Sequence, residues 1–164
     1  MAQRSVNVAT WSPAAKADAT NFVDTEHISI KGSGALDRLN VSEIWIGGQA
    51  TSSSVMIMVF AAHSTVGVTL SLGTGAKDAA LQDVNVAGTA RGYNTSTTKP
   101  QRSTTLGYLN LSFNSFGGIA RWQAPQGKEI SIIGNTASLG EAGLSQFTGG
   151  TTAAIGSHII YEPA

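Results

Sequence analysis

Apolar and polar residues alternate with a period of two along much of this chain. Ile28 and Ile30 alternate with His27, Ser29 and Lys31; Ile44 and Ile46 alternate with Glu43 and Trp45. Val66, Val68, Leu70 and Leu72 do the same with Gly67, Thr69 and Ser71, and the pattern returns at Leu109–Phe113, Ile130–Ile132 and Ile159–Tyr161. Successive side chains of a strand point to opposite faces, so each of these runs predicts a half-buried β-strand. Val55–Phe60 (VMIMVF) is apolar at every position and predicts a central strand buried on both faces. Gly47-Gly48, Gly73 to Gly75, Gly117-Gly118 and Gly149-Gly150 read as the turns between strands.

Helical signals are sparse. Lys77–Val84 offers a turn or two, and Ser12–Thr20 has a Ser-Pro start with no apolar stripe behind it. About eight short strands with glycine-rich turns predict an all-β fold, a jelly-roll-like β-sandwich, with an immunoglobulin-like sandwich or a plain barrel as alternatives. Two stretches fall outside the alternation. Residues 1–25 show only a possible short strand at Ser5–Ala9, so the chain divides into an extended N-terminal arm, 1–25, and a β-sandwich domain, 26–164. Residues 87–104 form a long polar segment, and a connection of that length inside a domain is usually functional.

Charge narrows the function classes. The chain has 164 residues, of which 12% are charged, about half the usual share, and the ten basic and ten acidic residues cancel. Their place is taken by small neutral residues: 18 Ser, 17 Thr and 19 Gly. The basic residues form no stripe, which argues against gripping nucleic-acid phosphates directly. Weak self-repulsion favours self-association or docking onto a larger assembly, and we expect a homo-oligomer. No apolar run reaches the ~20 residues of a membrane helix, and the first residues lack a signal-peptide core. Synthesis in a cytoplasm is therefore expected. With no cysteine there is neither a disulfide nor a thiolate site.

Candidate chemistry is thin. Glu26 and His27 in the run Asp24–His27 would point to opposite faces of a strand, so they read as a solvated strand entrance and not as a metal site. The three histidines and many serines lack a nucleophile elbow, and His63 reads as a strand end after its apolar run. Gly73–Lys77 lacks the spacing and the helix of a phosphate loop. No catalytic residue, metal ligand or cofactor is expected.

The aromatic residues are more informative. Phe60 and Phe113 belong to apolar patterns and predict core. Trp45 sits on the polar side of its strand, while Trp11 and Phe22 have no local apolar surface to cover. Together with Arg91 and Tyr93 of the polar segment, these make five candidates for a partner interface: Trp11, Phe22, Trp45, Arg91 and Tyr93.

Four segments carry a resemblance: Gly47-Gly48-Gln49-Ala50, Asn135–Glu141 (NTASLGE), Phe147–Thr151 (FTGGT) and His158–Pro163 (HIIYEP). They look like small virion-associated proteins of tailed bacteriophages, and the chain is similar in size and style to capsid decoration, or cement, proteins with a jelly-roll fold. The resemblance implies a structural virion protein on the outside of an icosahedral capsid, made in the host cytoplasm. Its partners would be the major capsid protein and further copies of itself, and it would stabilise the shell by bridging capsomers. The alternative is a receptor- or carbohydrate-binding head of a phage tail or fibre, which would need a shallow groove with aromatic residues.

Overall fold

The alternating runs become strands whose β-branched and aromatic side chains meet in one core. The computed structural model describes residues 4–11, 26–32, 38–65, 74–77, 88–92, 100–133, 140–148 and 154–164; for some of these, the three short or terminal strands 4–11, 74–77 and 88–92 among them, it describes the backbone alone. Within them run β1 (Arg4–Trp11), β2 (Glu26–Gly32), β3 (Arg38–Gln49), β4 (Val55–Thr65), β5 (Thr74–Lys77), β6 (Gly88–Gly92), β7 (Gln101–Asn114), β8 (Phe116–Gln123), β9 (Ile130–Ile133), β10 (Glu141–Thr148) and β11 (Ile155–Pro163). No α-helix occurs among the described residues, and none of their segments is a helix long and apolar enough to cross a membrane.

The topology follows from five antiparallel pairings. β1 pairs with β11, β2 with β10, β3 with β8 and β9, and β4 with β7. These are the pairings of one long antiparallel ribbon, first strand with last and so on inward, rolled up so that successive pairs fall alternately into two sheets. One sheet runs β5-β1-β11-β3-β8 with β9 beside β3, and the other runs β6-β2-β10-β4-β7. β8 and β9 behave as one interrupted strand, since both lie along β3, against Glu43–Gln49 and Arg38–Val41. Counting them so, and setting aside β5 and β6 at the sheet edges, leaves the eight strands of a jelly-roll β-sandwich.

The core lies between the sheets. Ile44, Ile46, Leu39, Val41, Ile159 and Tyr161 from the first sheet meet Ile28, Ile30, Met56, Met58, Phe60 and Leu144 from the second, all within 1% of full burial. Phe60 and Phe113 are core, as their patterns predict, and so are the inward positions of β2, β3, β9 and β11. β4 is buried from Met58 through Ala62; nearer its start Met56 is buried, but Ile57 is half-buried and Val55 exposed, so that part is not covered on both faces. The alternating run Val66–Leu72 lies outside the described residues.

Several expectations change. Arg4–Trp11 is not an arm: it is hydrogen-bonded between β5 and β11, Arg4 opposite Tyr161 and Trp11 opposite Ile155. Backbone pairing, which needs no apolar periodicity, places it in the sheet; residues 12–25 lie outside the described residues. Gly47-Gly48 and Gly117-Gly118 are strand residues of β3 and β8, and Thr74–Lys77 is a strand where a turn and the start of a helical segment were expected. Gly48 is required by close approach, because a Cβ there would stand 2.2 Å from the Ser115 carbonyl oxygen.

The second sheet differs from expectation on its outer face. His27, Ser29, His63, Glu141 and Ser145 point away from the core and are nevertheless buried at 0–1% exposure. His27 is thus no solvated strand entrance, and His63, near the end of β4 as expected, is fully buried. Ser29 Oγ donates to Glu141 Oε1 at 2.5 Å, and Glu141 Oε2 stands 3.6 Å from His63 Nδ1. Burial alone lowers the pKa of His27 from 6.5 to about 3.

Two outcomes are expected. Because β1 covers β11 and holds β5, a chain starting at Ile28 should lose its cooperative thermal melt, since net stability is only about 5–15 kcal/mol. A melt like that of the full chain would show that β1 is dispensable. The second concerns pH. Unfolded His27 takes up a proton near pH 6.5 and folded His27 only near pH 3, so below pH 6.5 the unfolded state binds more protons. Stability contributed above pH 6.5 is lost as pH falls, by up to about 5 kcal/mol at pH 3. Denaturant titrations between pH 7 and pH 4 should show this slope, and His27→Gln should reduce it by up to about 1.4 kcal/mol per pH unit.

Candidate functional site

The outer face of the first sheet is open, and its register builds a site there. Trp45 of β3 lies opposite His158 of β11 and Arg121 of β8, forming one row across three strands. Two residues further along β3, Gly47 lies opposite Gly156 and Ile119. Where the first row carries large side chains, the second has two glycines, and the missing side chains leave a shallow open trough of about 500 Å³. Trp45 and His158 wall it on one side, Ile119 flanks it and Gln49 lies at its far end.

The walls are tied down electrostatically. The guanidinium carbon of Arg121 sits 4.4 Å from the centre of the Trp45 ring, a cation–π contact of about 0.5–1 kcal/mol at an exposed site. Arg121 Nε donates to Glu43 Oε1, and a terminal nitrogen donates to Gln123 Oε1 at 3.2 Å. With two acceptors and an aromatic face, the guanidinium has one defined position, and it fixes the indole in turn. Trp45 keeps 36% of its surface exposed. Burial lowers the pKa of His158, opposed by the nearby Glu43 carboxylate. The imidazole is therefore mostly neutral at neutral pH, and its Nε2 is buried with no hydrogen-bond partner among the described residues.

At one end of the sandwich the β3–β4 and β7–β8 connections are cross-tied. Ser115 Oγ donates to the Ser52 carbonyl at 3.0 Å and accepts from the Ser54 amide at 3.0 Å, and the two hydroxyls of Ser54 and Ser115 are 2.8 Å apart. The backbones add Ser115 N to Ser54 O and Ala50 N to Ser115 O, both 2.9 Å. Asn114 donates to Ser53 Oγ and accepts from the Phe116 amide, both at 2.8 Å. The next residues on each connection, Val55 and Phe116, are 67% and 62% exposed. The knot holds two large apolar side chains out in water on fixed backbone.

Of the five interface candidates, Trp45 is at the trough. Trp11 and Arg91 have their backbones in β1 and β6, with Arg91 opposite Ser29, and their side chains lie outside the described residues, as do Phe22 and Tyr93. The sequence reading missed Val55, Phe116, Ile119 and Arg121. The alternation of Ile119 and Arg121 with Ala120 and Trp122 was there to be read, but Gly117-Gly118 looked like a turn.

The buried group on the other sheet has the residue types of a catalytic triad in the wrong order. The carboxylate, not the imidazole, stands next to the serine: Ser29 Oγ donates to Glu141 Oε1, and the other Glu141 oxygen faces His63. No cluster of three or more metal-ligating side chains occurs among the described residues. The fold and site together define a jelly-roll β-sandwich with an aromatic trough on one open face. No protein family, curated protein or solved structure matches this chain.

The two adjacent glycines of β3 should respond differently to substitution. A Cβ at Gly47 meets nothing nearer than the Gly118 carbonyl oxygen at 4.0 Å, whereas one at Gly48 strikes backbone at 2.2 Å. Gly47→Val should leave the melting temperature within about 2 °C or raise it, and Gly48→Val should cost at least about 3 kcal/mol. Equal effects on the two melts would contradict the placement of the Ser115 knot.

Proposed function

We propose that this protein is a structural virion component that binds the outside of an icosahedral phage capsid and stabilises it by bridging capsomers. It acts by binding and not by catalysis. The observation that carries this reading is the pair of exposed apolar side chains, Val55 and Phe116, held on the cross-tied end of the sandwich. Exposed apolar groups on a preorganised backbone are what a docking surface uses, because little conformational freedom is lost on contact. The absence of net charge removes long-range repulsion between copies crowded on one shell.

The partners in this reading are the major capsid protein and further copies of the chain, a trimer ahead of a dimer, and the protein is made in the host cytoplasm and carried on the virion. Trp11, Phe22, Arg91 and Tyr93 remain candidates for contacts between copies or capsomers. The alternative, a receptor- or carbohydrate-binding head of a tail or fibre, has one observation in its favour, the trough beside Trp45.

Co-sedimentation with undecorated capsids tests the reading. The double variant Val55→Ser, Phe116→Ser should melt like the parent, since both side chains are exposed, and bind at least about tenfold more weakly. Undiminished binding by a folded double variant would remove this end from the interface. No binding by the parent chain would remove the capsid.

A further inference from the structure

We propose that the trough beside Trp45 is a binding site for a neutral glycan, a function separate from capsid docking and independent of it. The first argument is the glycine at its floor. Glycine inside a strand costs stability, and in sheets it marks a bulge or a place where another group must come close. Gly48 is accounted for by the Ser115 carbonyl that touches it, but Gly47 has no such reason: the space over its Cα is open to 4.0 Å. Opposite it, across the strand pair, stands another glycine, Gly156. A side chain would fit at Gly47, and the trough is open there because none is present.

The second argument is the chemistry of the walls. Trp45 supplies an apolar ring and an indole N–H, Gln49 an amide with donors and an acceptor, and Ile119, 71% exposed, a second apolar flank. His158 completes the wall with an imidazole whose charge burial disfavours. Planar polar groups beside an aromatic ring match a sugar, which presents flat C–H faces edged by hydroxyls. Arg121 is the one cation at the Trp45 row, and Glu43 neutralises it, so the site favours a neutral ligand over an anionic one.

The third argument is shape. About 500 Å³ is the size of a small-molecule site, but this one is open along its length. An apolar ligand that must be mostly enclosed would stay largely wet there, whereas a chain of sugar units can lie through it. An extended peptide adding to the sheet would pair along the outer edge of β8, whereas β3 and β11 at the trough floor are both paired on either side.

The experiment uses the full chain on a printed array of neutral and anionic bacterial and plant oligosaccharides, followed by saturation-transfer NMR with the oligosaccharides retained. We expect at least one neutral oligosaccharide to be retained, with saturation focused on one sugar face. Gly47→Val, which fills the trough without touching backbone, should weaken binding about tenfold or more while its melt is unchanged, and Gln49→Ala should weaken it less. The Val55→Ser, Phe116→Ser variant should bind the glycan as the parent does, which separates this site from the docking end. Retention of anionic glycans alone, of none, or equal binding by Gly47→Val would overturn the proposal.

Discussion

The pairing of the first strand with the last governs the rest of the molecule. β1 lies along β11 from Arg4 opposite Tyr161 to Trp11 opposite Ile155, and this closes the ribbon whose inner pairs are β2 with β10, β3 with β8 and β4 with β7. Once β11 is held on one side by β1, its other side is free for β3, and β3 carries Trp45 into the row with His158 and Arg121. Every one of these contacts joins residues far apart in the chain, so none of the functional surface forms locally. Folding of such a topology is slow, because loop closure must precede the contacts that reward it.

The two sheets are used differently. The second is covered on its outer face over β2, β10 and the end of β4, where His27, Ser29, His63 and Glu141 are held away from water. A buried carboxylate hydrogen-bonded to a hydroxyl and set beside an imidazole is costly to disturb, and it ties β2, β10 and β4 at one level. The first sheet is open on its outer face, and there the large side chains, the glycine row and the exposed Ile119 make a surface with relief. The buried polar group and the open trough thus fall on opposite sides of one core, and the Ser115 knot ties one end of the sandwich.

Much of the fold was legible because alternation is a direct image of one-sided burial. Ile28 and Ile30, Ile44 and Ile46, and Ile159 and Tyr161 point inward as their spacing predicts, and Trp45 points outward. The missed parts share a physical cause, which is that the deciding partner lies elsewhere in the sequence. Gly48 looks like a turn residue until Ser115 is seen against it. His27 and Ser29 look like a solvent face because nothing local reveals that the face is covered. β1 lacks a strong apolar pattern because its place depends on backbone pairing with β11. Of the site, only Trp45 was foreseen, from its position opposite two isoleucines; the glycine row that gives it a trough needed the register.

The central claim is that this sandwich stands on a capsid by its cross-tied end and leaves the open sheet accessible. A cryo-EM reconstruction of capsids saturated with the full chain tests it most directly. The account predicts extra density on the outer surface between capsomers, into which the sandwich fits with Val55 and Phe116 against the shell and the Trp45 face exposed. Density that places the opposite end of the sandwich on the shell, or buries the Trp45 face against it, would contradict the account, as would saturating concentrations that leave the capsid surface bare.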